Sequence, residues 1–405
     1  MTPILAQSPW PQFCVSVVML VLILHVILGA GAYFILLERK VCAWVQDRVG
    51  PNRVGPLGLL QPIADGLKLF LKEDFIPAGV DRTLFILAPA FAVIPAMIGF
   101  AIIPWGGLWE TTSWSVYIMV ADINIGVIYL VATASLGVYG VVLGGWASNN
   151  KYSFLGGLRA SAQMISYEIP MGLALLCIIL TAGTLMPQEI VANQIEGQWY
   201  LVQQPLAAII FYICLLAEAN RAPFDLAEAE QELVGGWHTE YSSMKWALFF
   251  LGEYAHLFVG SAFFVTLFMG GWSLNPFWGW DLPVAGGLAL ILCQMAIVMG
   301  KIFLLVLLAM VVRWTLPRFR FDQLMRLAWE GMIPATLVLL LVTSVVTFLG
   351  WLHYMWLASI VTLFFFWLVR PMLPKQPDPN RRIGLVGSRF SPAAPEPGGD
   401  TASER

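Results

Sequence analysis

Apolar and polar positions along this chain are sorted into long blocks rather than short periods. Runs of the length that crosses a bilayer as a helix, about 17 to 25 residues, cover residues 13 to 37, 84 to 104, 121 to 146, 165 to 185, 199 to 217, 246 to 272, 284 to 314 and 333 to 349, with a slightly shorter one at 354 to 369. The pattern predicts an all-α, polytopic integral membrane protein of nine helices. Gln203, Gln204 and Pro205 break the fifth run. Only Gly350 to His353 part the eighth from the ninth, so that pair also reads as one hairpin dipping in from one side. Between the first two runs, Leu60, Ile63, Leu67 and Phe70 or Leu71 recur at helical spacing, with Asp65, Lys68 and Lys72 elsewhere on the wheel. That spacing predicts an interfacial amphipathic helix, apolar face down.

Composition agrees with the membrane class: of 405 residues 59% are hydrophobic and 12% charged, against about 25% charged in soluble domains. With the N-terminus outside, every Lys and Arg between the runs falls on the inner side, from Arg39 and Lys40 to the six in the tail, and Lys301 alone is left inside a helix. The positive-inside rule then predicts cytoplasmic loops at 38–83, 147–164, 218–245 and 314–332 of a single membrane domain, 1–370. The Pro-, Gly- and Ser-rich segment 371–405 reads as a disordered cytoplasmic tail. Because the basic residues are spread as topology determinants, the net charge of −3 implies no nucleic-acid partner. Five widely spaced cysteines without a C-x-x-C pair offer no iron–sulfur, haem or zinc ligation. The first run follows no basic residue and is too long for a signal segment, so it is expected to stay as an anchor.

The chemistry concentrates in residues 218 to 254, EANRAPFDLAEAEQELVGGWHTEYSSMKWALFFLGEY. Glu218, Asp225, Glu228, Glu230, Glu232 and Glu240 stand there against Arg221 and Lys245. Pro223 suits a first helical turn and Gly235-Gly236 a stop, predicting a short helix on which Asp225, Glu228 and Glu232 share a face, with Glu230 to the side. Three carboxylates on one face repel, raise some of their own proton affinities and can exchange protons with a neighbour. In a soluble protein the same run would be a solvated acidic loop, but here it abuts two apolar runs.

Four further groups lie within or at the edge of those runs. Glu168 precedes Pro170 near the start of the fourth, where it could also be a head-group carboxylate, and Glu253 with His256 lies inside the sixth. Glu253 is seven residues past Trp246, about 10 Å of helical rise, and a carboxylate at that depth needs pairing, water or a proton. Lys301 is about 18 Å of rise from Arg313, too far to snorkel, so it needs a carboxylate or a water, or else serves an internal ion pair for packing. With no nucleophile triad, phosphate loop or metal box, these residues point to ion translocation and leave its energy source open.

Four blocks, ERK…RVGPNRVGPLGLLQPIADGLKLFLKED, GWASNNKYSFLGGLRASAQMISYE, LLAEANRAPFDLAEAEQELVGGWHTEYSSMKWALFFLGEY and LPRFRFDQLMRLAWEGMIP, lie in order from residue 38 to about 349. Together they resemble the H-type membrane subunits of bacterial NADH-quinone oxidoreductase, respiratory complex I. The resemblance implies eight family-type transmembrane helices, to which the ninth run and the tail are additions, in a bacterial inner membrane. It implies a component of a proton-translocating NADH:quinone oxidoreductase without a catalytic residue, metal or redox centre of its own. Quinone would be the substrate, and NADH, FMN and iron–sulfur clusters would sit on partner subunits. Those partners would be the peripheral iron–sulfur subunits and the antiporter-like membrane subunits, with lipid around them. Carried onto this sequence, Glu38, Arg39, Asp65, Lys68 and Arg221 would line or edge a quinone cavity. Asp225, Glu228, Glu230 and Glu232 would link it through Glu218, Glu253 and Glu168 to the proton path, with Lys301 a further member. The related membrane component of a membrane-bound hydrogenase is the near alternative. A stand-alone ion transporter is the distant one, and it would be expected to carry an internal repeat, which the sequence lacks.

Overall fold

Every apolar run read from the sequence is helical in the computed structural model, which describes residues 9–110, 114–277 and 287–369. The first run forms α1 (Pro9–Val45), followed by the surface helix α2 (Gln61–Leu71) and then α3 (Arg82–Gly99). A short antiparallel hairpin, β1 (Leu108–Glu110) with β2 (Ser115–Tyr117), leads to α4 (Gly126–Ser135), α5 (Gly137–Ala147) and α6 (Lys151–Ala182). Next come α7 (Pro187–Glu196), α8 (Tyr200–Gln203), α9 (Pro205–Glu218), the single turn α10 (Glu230–Leu233) and α11 (Ser243–Phe268). The chain ends with α12 (Leu288–Thr315), α13 (Phe321–Arg326), α14 (Ile333–Phe348) and α15 (Trp356–Val369). Among the described residues seven helices are long and apolar enough to cross a membrane, and α9 and α15 are shorter apolar helices. The protein is therefore an all-α, multi-pass membrane protein.

Several helices outrun their apolar blocks, because charge marks where a helix leaves the hydrocarbon and not where its hydrogen bonding stops. α1 continues past residue 37 and carries Glu38 and Arg39 within it. α6 begins at Lys151 rather than near 165, since Asn150 caps it by accepting from the Tyr152 N–H at 2.9 Å. Most of the stretch expected as the loop 147–164 is thus helix. α13 runs through a π-helical turn, Leu327–Met332, into α14, giving one 28-residue span from Phe321 to Phe348. The break in the fifth run is real. Gln204 leaves helical geometry at φ −133°, its side chain donates to Thr181 Oγ1 at 2.6 Å, and Pro205 restarts the helix as α9.

The axis of the bundle is α11, whose apolar window is 67% buried, against 17% for α1 at the periphery. Phe263, Phe264 and Phe268 of α11 close around Phe211 of α9. α3 and α5 touch backbone to backbone at Gly140, where a Cβ would stand 2.5 Å from the Ala92 nitrogen. No residue of α2 is buried, and Leu60, Ile63, Leu67, Phe70 and Leu71 are all exposed, as an interfacial helix requires. By its contacts the chain divides into Met1–Leu363 and Phe364–Arg405. Only 364–369, the last turns of α15, are described in the second unit, so the tail expected to be disordered lies outside the described residues.

Candidate functional site

The acidic stretch does not form the helix expected of it. Between α9 and α11 only Glu230–Leu233 is α-helical, and residues 219 to 229 run as turns and bends. The backbone there is engaged by other elements. Gln163 of α6, fully buried, donates its Nε2 to the carbonyls of Ala217 at 2.9 Å and Phe224 at 2.8 Å, and the Phe319 N–H reaches Pro223 O at 3.4 Å. Gly156 lets the loop press onto α6, since a Cβ there would come 2.5 Å from the Trp237 nitrogen.

Folded this way, four of the loop's carboxylates each have a cation or donor beside them. Arg318 Nη2 donates to Asp225 at 3.0 Å, His238 Nδ1 is 3.5 Å from Glu228, Arg159 meets Glu232 at 2.5 Å and Asn150 donates to Glu240 at 2.6 Å. The side chain of Glu230 lies outside the described residues. Asp225 and Glu228 part company in proton affinity. Burial, with the charge of Glu228, lifts Asp225 from 3.8 to about 7 despite the nearby Arg318, Arg313 and Arg221. Burial works against the Glu228 charge too, but hydrogen bonds to His238 and Glu253 and the charge on His238 outweigh it, lowering Glu228 to about 2. The loop therefore holds one carboxyl poised near neutrality beside one held firmly ionised, where the sequence suggests a mutually repelling trio.

Behind the loop, Glu38 is the hub of a buried ion cluster. It is 8% exposed and accepts from Arg221 Nη1 at 3.0 Å, Arg313 Nη1 at 2.5 Å and the Tyr254 hydroxyl at 2.6 Å. The Arg221 guanidinium stacks 3.9 Å from the centre of the Tyr254 ring, and its Nη2 is 4.0 Å from Glu253. Arg221 Nε and Nη2 are buried without a hydrogen-bond partner among the described residues, leaving two donors for a group that enters the cluster. Sequence reasoning misses Arg313 and Tyr254. Arg313 counts there only as a topology marker, and Tyr254 carries no charge; its adjacency to Glu253 is the signal available.

From this cluster the acids continue inward. Glu253 neighbours Glu228, and the two carboxyls act on each other's proton affinity. Glu218, at the end of α9, has His256 Nε2 3.3 Å away. A cavity of about 40 Å³ is lined by Glu253, Glu218, His256 and Asn220, and one of about 20 Å³ by Glu218 and His256 with residues of α3, α4 and α6. The second reaches Ala134 and Met171, beside Ser135 and one turn from Glu168. The Ser135 hydroxyl donates to Glu168, seventeen residues into α6 rather than near its start.

On the lipid side a groove of about 190 Å³ opens between α1, α2 and α11, walled by Ile35, Leu36, Leu69, Trp246, Phe250 and Leu251 with Asp65 at its rim. Arg39 donates to Asp65 at 2.6 Å, tying α1 to α2. Lys68 is exposed on α2 and is not among the groove's lining residues.

Lys301 meets no carboxylate among the described residues. Its Nζ donates to the carbonyls of Met269, Gly271 and Ser273 at 2.6, 2.8 and 2.5 Å and lies 4.2 Å from the Trp199 ring centre. These acceptors follow the C-terminal end of α11. Met269 is sixteen residues beyond Glu253, about 24 Å of rise. The turn that follows α11 turns three carbonyls to one point, which satisfies all three ammonium protons.

Comparison with known proteins follows the same outline. A sequence model of the NADH dehydrogenase family matches residues 17–344. The chain is 47% identical to an H-type component of the NADH-quinone oxidoreductase of Geobacter sulfurreducens, over 82% of this chain and 95% of that protein. It is 50% identical to the corresponding protein of Protochlamydia amoebophila, over 78% and 93%, and 47% identical to that of Rhodospirillum rubrum, over 83% and 94%. On these matches the chain belongs to the NADH dehydrogenase family, among the H-type membrane components of NADH-quinone oxidoreductase.

Proposed function

We propose that the chain is the membrane component of a proton-pumping NADH-quinone oxidoreductase that forms much of the quinone cavity and couples quinone reduction to proton translocation. The groove between α1, α2 and α11 is the portal for an apolar quinone tail. The Arg39–Asp65 pair and Lys68 edge that portal at head-group height, with the Glu38–Arg221 cluster beyond it. NADH, FMN and iron–sulfur clusters belong to peripheral partner subunits, and the pumped protons pass on to antiporter-like membrane subunits. The N-terminus faces outward and the Lys- and Arg-rich loops face the cytoplasm of a bacterial inner membrane.

The observation that carries this reading is the connected series of acids. Glu38 and Glu253 meet at Arg221, Glu253 meets Glu228, and two small cavities lead from Glu253 past Glu218 toward Glu168. Quinone reduction consumes two protons. Taken up near the loop, they change the field on a set of groups whose protonation is already interdependent, so one event redistributes protons along the series. Asp225 and Glu228 respond first, Glu232 and Glu230 tune them from the loop's edge, and Glu253, Glu218 and Glu168 carry the disturbance onward. The test is Glu218→Gln and Glu253→Gln in the assembled complex. NADH-driven proton translocation is expected to fall at least about tenfold in each; wild-type quinone reduction and pumping in both would overturn the reading.

A further inference from the structure

His256 stands out in the sequence for its depth, and the coupling reading above leaves it without a task. It lies one helical turn past Glu253 on the same face of α11, with Nε2 directed at Glu218 of α9 at 3.3 Å. Both small cavities are lined by His256 and Glu218, and the larger also by Glu253. Among the described residues those three are the only ionisable side chains lining either cavity; the remaining wall comes from residues such as Ala92, Pro95, Val141 and Phe249, with Asn220 and Thr133 the polar exceptions. A space of about 40 Å³ exceeds the roughly 10–15 Å³ that one water needs, and its three ionisable groups with Asn220 supply partners for it.

A series made only of carboxyl groups has a weak point between Glu253 and Glu218. A carboxylate cannot donate, so transfer from one to the next waits for the two to be differently protonated and bridged. An imidazole between them supplies the bridge, because it can accept on one nitrogen while releasing from the other.

We propose that His256 is the proton-transferring link between Glu253 and Glu218, working through water in the cavity it shares with both. The inference rests on the coupling role assigned to the chain. In the step, a proton leaves the Glu253 carboxyl, crosses the cavity water and binds Nδ1 of the neutral ring. The Nε2 proton then passes to the Glu218 carboxylate. Glu253 ends as a carboxylate, His256 is again neutral and Glu218 is protonated. The second cavity continues from that pair toward Ser135 and Glu168.

The test compares His256→Gln with Glu253→Gln in membranes holding the assembled complex. Assembly is checked by NADH oxidation with an artificial acceptor at the peripheral subunits, and proton translocation is read as the NADH-driven pH gradient. Glutamine keeps an amide donor for Glu218 but cannot carry a proton at neutral pH, so a merely structural hydrogen bond would survive it. Both variants are expected to lose at least about tenfold in proton translocation. If Glu253→Gln loses pumping and His256→Gln retains it, the link is overturned and the coupling role stands. If both retain it, the coupling role itself falls, and the link with it. Should glutamine block assembly, His256→Asn is read in the same assay against the same outcomes.

Discussion

Two buried cationic sites in this protein solve one problem in opposite ways. At Arg221 the guanidinium is neutralised by side chains: Glu38 at 3.0 Å, Glu253 at 4.0 Å and the Tyr254 ring. At Lys301 the ammonium is held by three backbone carbonyls that follow α11 and by the Trp199 ring. Carbonyl dipoles have fixed charge and cannot take up a proton, whereas carboxylates and their neighbours can. The first site is therefore able to answer a change in local field by moving protons among several groups, whereas at the second the ammonium is the one titratable group among the described residues. A buried cation is expensive in either place, but only the identity of its partners tells whether protons can move around it.

The difference breaks most sharply at Arg221. Arg221→Met leaves Glu253 facing no guanidinium and Glu38 with Arg313 and the Tyr254 hydroxyl, and removing one partner of a buried pair costs roughly 3–5 kcal/mol. Quinone reduction by the assembled complex should fall by about a hundredfold, which corresponds to roughly 3 kcal/mol of lost transition-state stabilisation. Lys301→Met should act on stability instead. Three carbonyls lose their donor, at roughly 1–3 kcal/mol of local stability, so the temperature of half-inactivation drops while protons moved per NADH stay at the wild-type value.

The smallest effect belongs to Asp225 and appears as a pH dependence. Its folded-state value is raised from 3.8 to about 7, so the native loop holds a proton that the unfolded chain would release. The stabilisation from that proton is complete below about 4 and is lost as pH rises through about 7. Coupled turnover should therefore show a step near pH 7 in the wild type. Asp225→Asn, which cannot ionise, should abolish that step.

The membrane class, the apolar helices, the surface helix and the family blocks are legible in the sequence, because hydrocarbon thickness and helical periodicity act on residues close together in the chain. Helix ends are less legible. α6 starts fourteen residues before its apolar run, held by the Asn150 cap, and hydropathy does not register a cap. The acidic helix expected around Asp225, Glu228 and Glu232 fails for a related reason. Local propensity favours it, but Gln163 on α6 and Phe319 after α12 take the loop's backbone groups, and neither is near the loop in sequence. The same distance in sequence hides Arg313, which reaches Glu38 across 275 positions. Lys301 shows the limit most plainly, since its depth can be counted from the sequence but its carbonyl partners follow from how α11 ends.

The most direct measurement is the infrared difference spectrum of the assembled complex on quinone reduction, in the region of protonated carboxyl groups, taken for the wild type, Glu253→Gln and Lys301→Met. A reduction-linked carboxylic band present in the wild type, retained in Lys301→Met and lost in Glu253→Gln is the predicted result. A band unchanged by Glu253→Gln, or abolished by Lys301→Met, would contradict the claim that the carboxylate series, and not the carbonyl-held lysine, responds to the quinone.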